Sequence, residues 1–290
     1  MLGQEFMRNA LLAGTFVALA CGVSGWFVVL RGQVFAGDAL SHVAFPGALA
    51  AAAAGVDQRI GLFVATIAAG AAIGVLGRGV LGGARGGGVS GAGTHGGAGA
   101  GAQDTAIGIA FTFILGLGVF FLALAGTSAA GASGIAGAHT LFGSIFGLSA
   151  GEARLAAAIG LGAVLATAAI ARPLLFCTVA PDVAAARGVP TRLLAIAFVA
   201  LLGVVAAEAT QAVGALLLLG LLAAPAAAAH RLTRKPFAGL ALAGLLAVAA
   251  MWGGLLLAYE IPALPPSTAI VVLAVGMYGV STLPSGRPQR

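Results

Sequence analysis

Long apolar runs with few charged side chains recur along this sequence and limit its fold more than any other feature. A helix needs roughly 20 residues to cross a bilayer, so runs of about 15 residues or more are candidate spans. Each span must satisfy its backbone hydrogen bonds within itself. We therefore predict an all-α, polytopic helical bundle of about eight to ten spans, forming one transmembrane domain over 1–290. The runs lie near 10–30, 38–56, 60–77, 105–125, 155–171, 192–207, 209–229, 237–259 and 266–284.

The composition excludes a soluble globular protein. Only 8% of the residues are charged and 60% are hydrophobic, whereas soluble domains carry roughly 25% charged residues. The net charge of +6 does not indicate a nucleic-acid-binding protein, because the basic residues separate the spans and form no stripe. Cys21 and Cys177 lie in or beside different spans, which predicts buried thiols and neither a disulfide framework nor a CxxC pair.

Two stretches between spans are rich in glycine. Twelve of the 23 residues in 79–101 are Gly, and such a tract predicts a flexible loop, which we extend to 79–103. His95 is then a passive loop residue, since a metal-collecting loop would be His-rich. The stretch 126–150, which contains His139, is a re-entrant or interfacial segment or part of a further crossing.

Basic residues set the orientation, because cytoplasmic loops carry an excess of Lys and Arg. Arg31 favours a cytoplasmic loop at 31–37 and an outer N-terminus. From residue 78 onward the spans alternate consistently if 126–150 does not cross. Ten of the 14 Lys and Arg residues lie in the loops and tail that we assign to the cytoplasm, namely Arg78, Arg85, Arg172, Arg187, Arg192, Arg231, Arg234, Lys235, Arg287 and Arg290.

The stretch GDALSH at 37–42 places a carboxylate and an imidazole four residues apart inside a predicted span. Residues at this spacing share one face of a helix. Asp38 and His42 are both ligands for divalent metals, and ionisable groups at membrane depth usually mark a substrate pathway. Pro46, one turn further on, removes a backbone hydrogen bond. Two interpretations of Asp38 stay open, a metal ligand and an N-terminal helix cap.

The stretch 180–190 predicts a short helix outside the membrane. Pro181 and Asp182 suit a helix start, and Gly188 followed by Pro190 ends it. The helix is either an ordinary surface connector or a docking element that pushes on a soluble partner.

Glu208 and Glu260 fall at the predicted outer ends of spans, which suits interfacial residues better than metal ligands. The span 209–229 carries a proline near its cytoplasmic end, which indicates a packed, kinked helix. No GxxxxGK[ST], HExxH, GxSxG or SxxK motif occurs. Energy for any active transport must therefore come from another chain or an ion gradient.

The ordered set of motifs resembles the permease subunits of ABC importers for zinc, manganese and sometimes iron. The similarity covers nearly the whole chain, and its specificity lies in the order of the motifs more than in any single one. The matching stretches are FVVLR at 27–31, GDALSH at 37–42 with Pro46-Gly47, DTAIGI at 104–109, LFGS at 141–144, the loop 181–190, VGALL at 213–217, APA at 224–226 and PPS at 265–267.

The resemblance implies a type II ABC importer fold in the bacterial cytoplasmic membrane, without enzymatic activity in this chain and without a permanent cofactor. The implied partners are a second copy of the chain, cytoplasmic ATP-binding subunits and an extracytoplasmic metal-binding protein. Asp38 and His42 would hold Zn²⁺ or Mn²⁺ in transit. The ATPase-coupling helix maps onto Asp182, Val183, Ala186, Arg187 and Gly188. Two features depart from the family, namely the long loop 79–101 and the carboxylates Glu208 and Glu260, which match no fixed family ligand.

Two rival functions remain at this stage. A proton-coupled secondary transporter would need more intramembrane carboxylates and inverted repeats. An intramembrane metalloenzyme would need a nucleophile with its base, or a richer metal cluster. Neighbouring genes for an ATPase and a secreted metal-binding protein would distinguish the ABC importer from both.

We predict that deleting residues 86–100 leaves metal uptake largely intact, because a Gly-rich and nearly uncharged tract has little to contribute to a packed structure. Uptake of radiolabelled Zn²⁺ or Mn²⁺ at matched membrane levels measures this. Complete loss of uptake in a folded, inserted deletion variant would contradict it.

Overall fold

The computed structural model describes residues 4–76, 112–121, 123, 145–215, 218–261 and 263–283. The predicted loop 79–103 with His95, and most of the stretch 126–150 with His139, lie outside the described residues.

The regular structure of the described residues is entirely helical. The helices are α1 (Glu5–Leu30), α2 (Val34–Ala53), α3 (Gln58–Leu76), α4 (Thr112–Phe121), α5 (Ala150–Val179), α6 (Pro181–Ala186), α7 (Thr191–Val213), α8 (Leu218–Leu232), α9 (Pro236–Glu260) and α10 (Pro266–Thr282). Six of them, α1, α2, α3, α5, α7 and α9, are long and apolar enough to cross a membrane, and three shorter ones, α4, α8 and α10, are also apolar. The all-α polytopic fold is therefore confirmed.

The predicted loop around Arg172 is wrong, because α5 continues through this residue to Val179. The helix begins with a capping box, in which the Ser149 hydroxyl accepts from the Glu152 backbone N–H and the Glu152 carboxylate accepts from the Ser149 N–H. The Arg172 side chain is exposed. A long basic side chain carries its charge away from the helix axis, so it does not need to end the helix.

The predicted boundary at Glu208 is also wrong. Helix α7 passes through this residue to Val213, and the chain breaks at Gly214, whose φ of 99° lies in the region that favours glycine. The loop predicted at 31–37 is also shorter in the structure. It is a turn between the end of α1 at Leu30 and the start of α2 at Val34, and Gly32 in this turn has a φ of 64°.

Helix α1 is the centre of one closely packed group of helices and contacts α5, α8 and α9. Gly22 faces the backbone of Ala243 in α9, and Gly25 faces the carbonyl of Leu222 in α8. A side chain at either glycine would collide with a neighbouring main chain. Glycine therefore sets the separation of these helices, as small residues do in membrane bundles.

A second closely packed group joins α2 to α3 and α3 to α7. Gly47 of α2 and Gly61 of α3 each face the other's carbonyl. Between α3 and α7, a Cβ on Gly70 would lie 2.5 Å from the carbonyl oxygen of Val199, and one on Gly203 would lie 2.5 Å from that of Thr66. These three helices lie together along much of their length.

The ends of several helices meet around Trp26. Its ring stacks on His230 with centroids 4.8 Å apart, and His230 Nε2 lies 3.0 Å from the Trp26 carbonyl oxygen. The Arg31 guanidinium lies over the Phe198 ring, 5.5 Å from its centroid, and burial lowers the pKa of Arg31. Since His230 leads into the basic turn 231–235, Arg31 shares one side of the bundle with that turn, in agreement with the expected orientation.

We predict that Gly22→Ala destabilises the protein by about 1–3 kcal/mol, because the added methyl group meets the α9 backbone and the helices must separate. The measurement is thermal unfolding of the detergent-solubilised protein. Gly162→Ala is the control, since an added Cβ there meets nothing within 4 Å. Equal stability of the two variants would contradict the close packing of α1 on α9.

Candidate metal site

Helix α2 begins at Val34 and carries the predicted site in its second and third turns. Gln33 is its N-terminal cap residue and makes no side-chain capping bond. The interpretation of Asp38 as a cap is therefore wrong. The turn at Gly32 lets α2 start four residues earlier than the pattern indicated, so Asp38 lies inside the helix.

Asp38 and His42 lie on one face of α2, as the spacing predicts. Asp38 Oδ1 is 3.8 Å from His42 Nε2, and the two side chains are 27% and 17% exposed. This distance exceeds that of a direct hydrogen bond. The pair thus presents one carboxylate and one imidazole, partly open, to the same space. This donor set suits a divalent metal cation.

Pro46 lies inside α2 one turn beyond His42. Proline has no N–H, and the bond it would otherwise form is to the carbonyl four residues earlier. That carbonyl belongs to His42. The proline therefore changes the backbone hydrogen bonding of α2 at the level of the imidazole.

The opposite face of α2 fixes the helix in the protein. Ala44 and Ala48 are buried with Leu62 of α3 and Ala207 of α7. At 100° per residue these two alanines point away from His42. Gly37, near the start of α2, faces Leu222 of α8. Helices α3 and α7 thus support α2 from the side opposite His42.

Asp38 and His42 are not part of a larger ligand cluster in the described residues, where no group of three or more His, Cys, Asp or Glu side chains comes together. Glu260 is exposed at the end of α9, where an interfacial residue was expected. Glu208 differs from its prediction, because it is only 3% exposed inside α7.

Glu208 is paired with Arg59, a residue that the sequence analysis did not single out. Arg59 Nη2 donates to Glu208 Oε1 at 3.0 Å and to Oε2 at 3.3 Å. The available signal was a basic residue at the start of one apolar run and an acidic residue between two others. Opposite charges at membrane depth tend to pair.

The short helix predicted at 182–188 is present as α6, Pro181–Ala186. Pro181 occupies the first turn, Asp182 adds a favourable negative charge there, and Gly188 ends the segment with a φ of 76°. Ala184 is buried, whereas the other α6 residues are exposed. Val183 is 50% exposed, so α6 presents an apolar side chain between Asp182 and Arg187.

The sequence as a whole matches one family. Residues 3–80 and 99–284 match the sequence model of the ABC 3 transport family. The chain belongs to this family. The resemblance to permeases of metal ABC importers is thereby confirmed, as is the multi-pass location in the cytoplasmic membrane. An ABC 3 permease is a transport subunit and not an enzyme.

Several relatives of this ABC 3 permease are named as transport proteins for a particular metal. It is 31% identical to the manganese transport system membrane protein MntC of Halalkalibacterium halodurans, across 87% of this chain and 76% of that protein. It is 27% identical to a probable iron transport system membrane protein of Haemophilus influenzae, across 93% and 90%. The solved structure of PsaBC from Streptococcus pneumoniae in complex with Fab matches with a TM-score of 0.78 and 26% identity, across 96% and 91%.

Proposed function

We propose that this permease imports Mn²⁺ into the cytoplasm by alternating access, with ATP hydrolysed on separate subunits that dock on α6. A metal-binding protein on the outer side delivers the ion. Asp38 and His42 then hold it transiently between two copies of the permease.

The observation that carries this proposal is the partly open Asp38–His42 pair on α2. Two ligands from one chain leave most of the coordination shell of a divalent ion unfilled. A second copy would supply the same carboxylate and imidazole, and water would complete the shell. Incomplete coordination by each chain suits an ion that must also leave, since a transported ion cannot be held too tightly.

The choice of Mn²⁺ rests on donor chemistry together with similarity. Carboxylate oxygen and imidazole nitrogen accept Mn²⁺, Fe²⁺ and Zn²⁺, and affinity alone favours zinc over manganese. The relative with 31% identity is named for manganese, and one with 27% identity for iron. Zn²⁺ and Fe²⁺ are therefore the competitors to test.

Coupling to ATP hydrolysis is assigned to α6 together with the residues that end it. The helix lies outside the spans, and its exposed residues Asp182, Val183 and Ala186 lead to Arg187 and Gly188. An apolar side chain between opposite charges gives a partner both burial and orientation. The helix follows α5 after one residue and precedes α7, so a push on it reaches two spans.

We predict that Asp38→Ala and His42→Ala each reduce Mn²⁺ uptake at least about tenfold without preventing insertion, since each removes one metal ligand. Uptake of radiolabelled manganese at matched membrane levels is the measurement, with Zn²⁺ and Fe²⁺ as competitors. Glu260→Ala is the control, because it removes an exposed carboxylate at the end of α9. Near-normal uptake in both site variants would exclude them from the metal path.

We predict that Ala185→Pro uncouples ATP hydrolysis from transport. Proline removes the Ala185 N–H and clashes with the preceding turn, at a local cost of about 3 kcal/mol, while the spans keep their own hydrogen bonds. The measurements are co-purification with the ATPase subunit and ATPase stimulation by the metal-loaded binding protein. Ala185→Ser, which keeps the N–H, is the control. Normal association and stimulation in the proline variant would place coupling elsewhere.

A further inference from the structure

We propose that the Arg59–Glu208 ion pair is a positioning element that clamps α3 to α7, so that α2, α3 and α7 move as one body during transport. This inference rests on the proposed function, because it concerns how Asp38 and His42 on α2 are displaced when α6 moves. It assigns no metal ligand and no catalytic role to either residue.

The ion pair is short, and its carboxylate is buried. One Arg59 nitrogen reaches both oxygens of Glu208, and the two side chains are 21% and 4% exposed. A carboxylate so deeply buried needs a partner throughout the time that it is charged. Arg59 is itself held in place, because its backbone N–H donates to Asp57 Oδ1 at 2.7 Å at the start of α3.

The clamp lies at the outer end of a contact that is already close along its length. Gly70 of α3 packs on Val199 of α7, and Gly203 of α7 packs on Thr66 of α3. The ion pair continues this interface beyond the glycine contacts. An antiparallel pair of helices held both by backbone contact and by an ion pair resists sliding and separation.

Helix α2 is attached to this pair by its back face. Gly47 and Gly61 bring the α2 and α3 backbones together, and Ala207, next to Glu208, is buried with Ala44 and Ala48. Ala207, the residue before Glu208, therefore packs behind the helix that carries Asp38 and His42. A shift of α7 relative to α3 would move the surface on which α2 rests.

Contacts between a glycine and the backbone of a neighbouring helix divide the described helices into two sets. One set joins α1 to α5, α8 and α9, and α9 to α10, and the other joins α2 to α3 and α3 to α7. Among the described residues, no contact of this kind links the two sets, although side chains do, because Gly37 of α2 faces the Leu222 side chain of α8 and Phe198 of α7 packs on Phe27 of α1. The α2–α3–α7 unit, residues 34–76 and 191–213, is thus joined internally by backbone contacts and to the rest by side chains.

Three of the four positive-φ glycines of the described residues lie where the chain enters or leaves this unit, and the fourth, Gly55, lies inside it between α2 and α3. Gly32 precedes α2, Gly188 lies between α6 and α7, and Gly214 follows α7, with φ of 64°, 76° and 99°. Hinges are commonly a few terminal residues that absorb a backbone change. Because only residues 187–190 separate α6 from α7, a push on α6 reaches α2 through α7, provided that α3 and α7 stay clamped.

The first test compares transport with ATP use in the reconstituted complete transporter. Arg59→Ala and Glu208→Ala should each raise the number of ATP molecules hydrolysed per Mn²⁺ transported about tenfold. A factor of this size is typical of the coupling between two sites in one protein. Arg59→Lys, which keeps the charge, should recover part of the ratio. Arg154→Ala removes an exposed arginine near the start of α5 and should leave the ratio unchanged. Loss of folded protein alone would lower uptake and hydrolysis together, so an unchanged ratio in the first two variants overturns the proposal.

The second test replaces the ion pair with a covalent link. In a background of Cys21→Ala and Cys177→Ala, Arg59→Cys with Glu208→Cys should be uncoupled. Joining the two thiols with a short bifunctional reagent should return the parental ratio, because a clamp does not need to open. A joined protein that remains uncoupled or stops transporting overturns the proposal, since the pair would then have to separate in each cycle.

The controls also distinguish this inference from the proposed function. If the permease does not carry Mn²⁺, the parental transporter shows no Mn²⁺ uptake and no metal-dependent stimulation. If only the clamp is wrong, the parental transporter is coupled and the Arg59 and Glu208 variants are coupled equally well.

Discussion

Direct contact between helix backbones is the constraint on which the rest of this structure depends. In lipid the hydrophobic effect does not drive one apolar helix against another, so association relies on close packing. Gly22 and Gly25 let α1 approach α9 and α8, and Gly70 and Gly203 do the same between α3 and α7. Small residues fix which helices touch and at what separation. The position of any side chain that faces a pathway follows from contacts made on the other side of its helix.

The two pairs of ionisable side chains illustrate this dependence. Arg59 and Glu208 form a short contact, 3.0 Å, with the carboxylate almost completely buried. Asp38 and His42 are 3.8 Å apart and more open. A buried charge must be compensated by a fixed partner, whereas a pair that is partly open retains capacity for a ligand. A carboxylate is thus fixed by a partner in one place and more open in another, where we propose that it binds metal, and burial and distance distinguish the two.

Local patterns predicted the helices well and their charged boundaries poorly. Apolar runs indicated the spans, and the order of Pro181, Asp182 and Gly188 indicated α6, because these signals act within a few residues. Arg172 and Glu208 were treated as ends of spans because charge is costly in lipid. Both residues lie inside helices in the structure. The Arg172 side chain is exposed, and the buried Glu208 carboxylate is paired with Arg59. That pairing joins residues 149 positions apart, a relation that periodicity and spacing do not contain.

The break between α7 and α8 also depends on contacts with the surrounding helices. Helix α8 has 15 residues, which rise about 22 Å at roughly 1.5 Å per residue, short of a hydrocarbon core of roughly 30 Å. Part of the crossing therefore consists of the non-helical backbone around Gly214. Such backbone is stable at membrane depth only where protein or a water-filled cavity covers it. Gly214 and Ala215 are buried, and Leu218, Leu221 and Leu222 at the start of α8 are almost completely inaccessible. The surrounding helices thus cover the backbone that lipid could not, and they allow the chain to leave the helical conformation at Gly214 inside the protein.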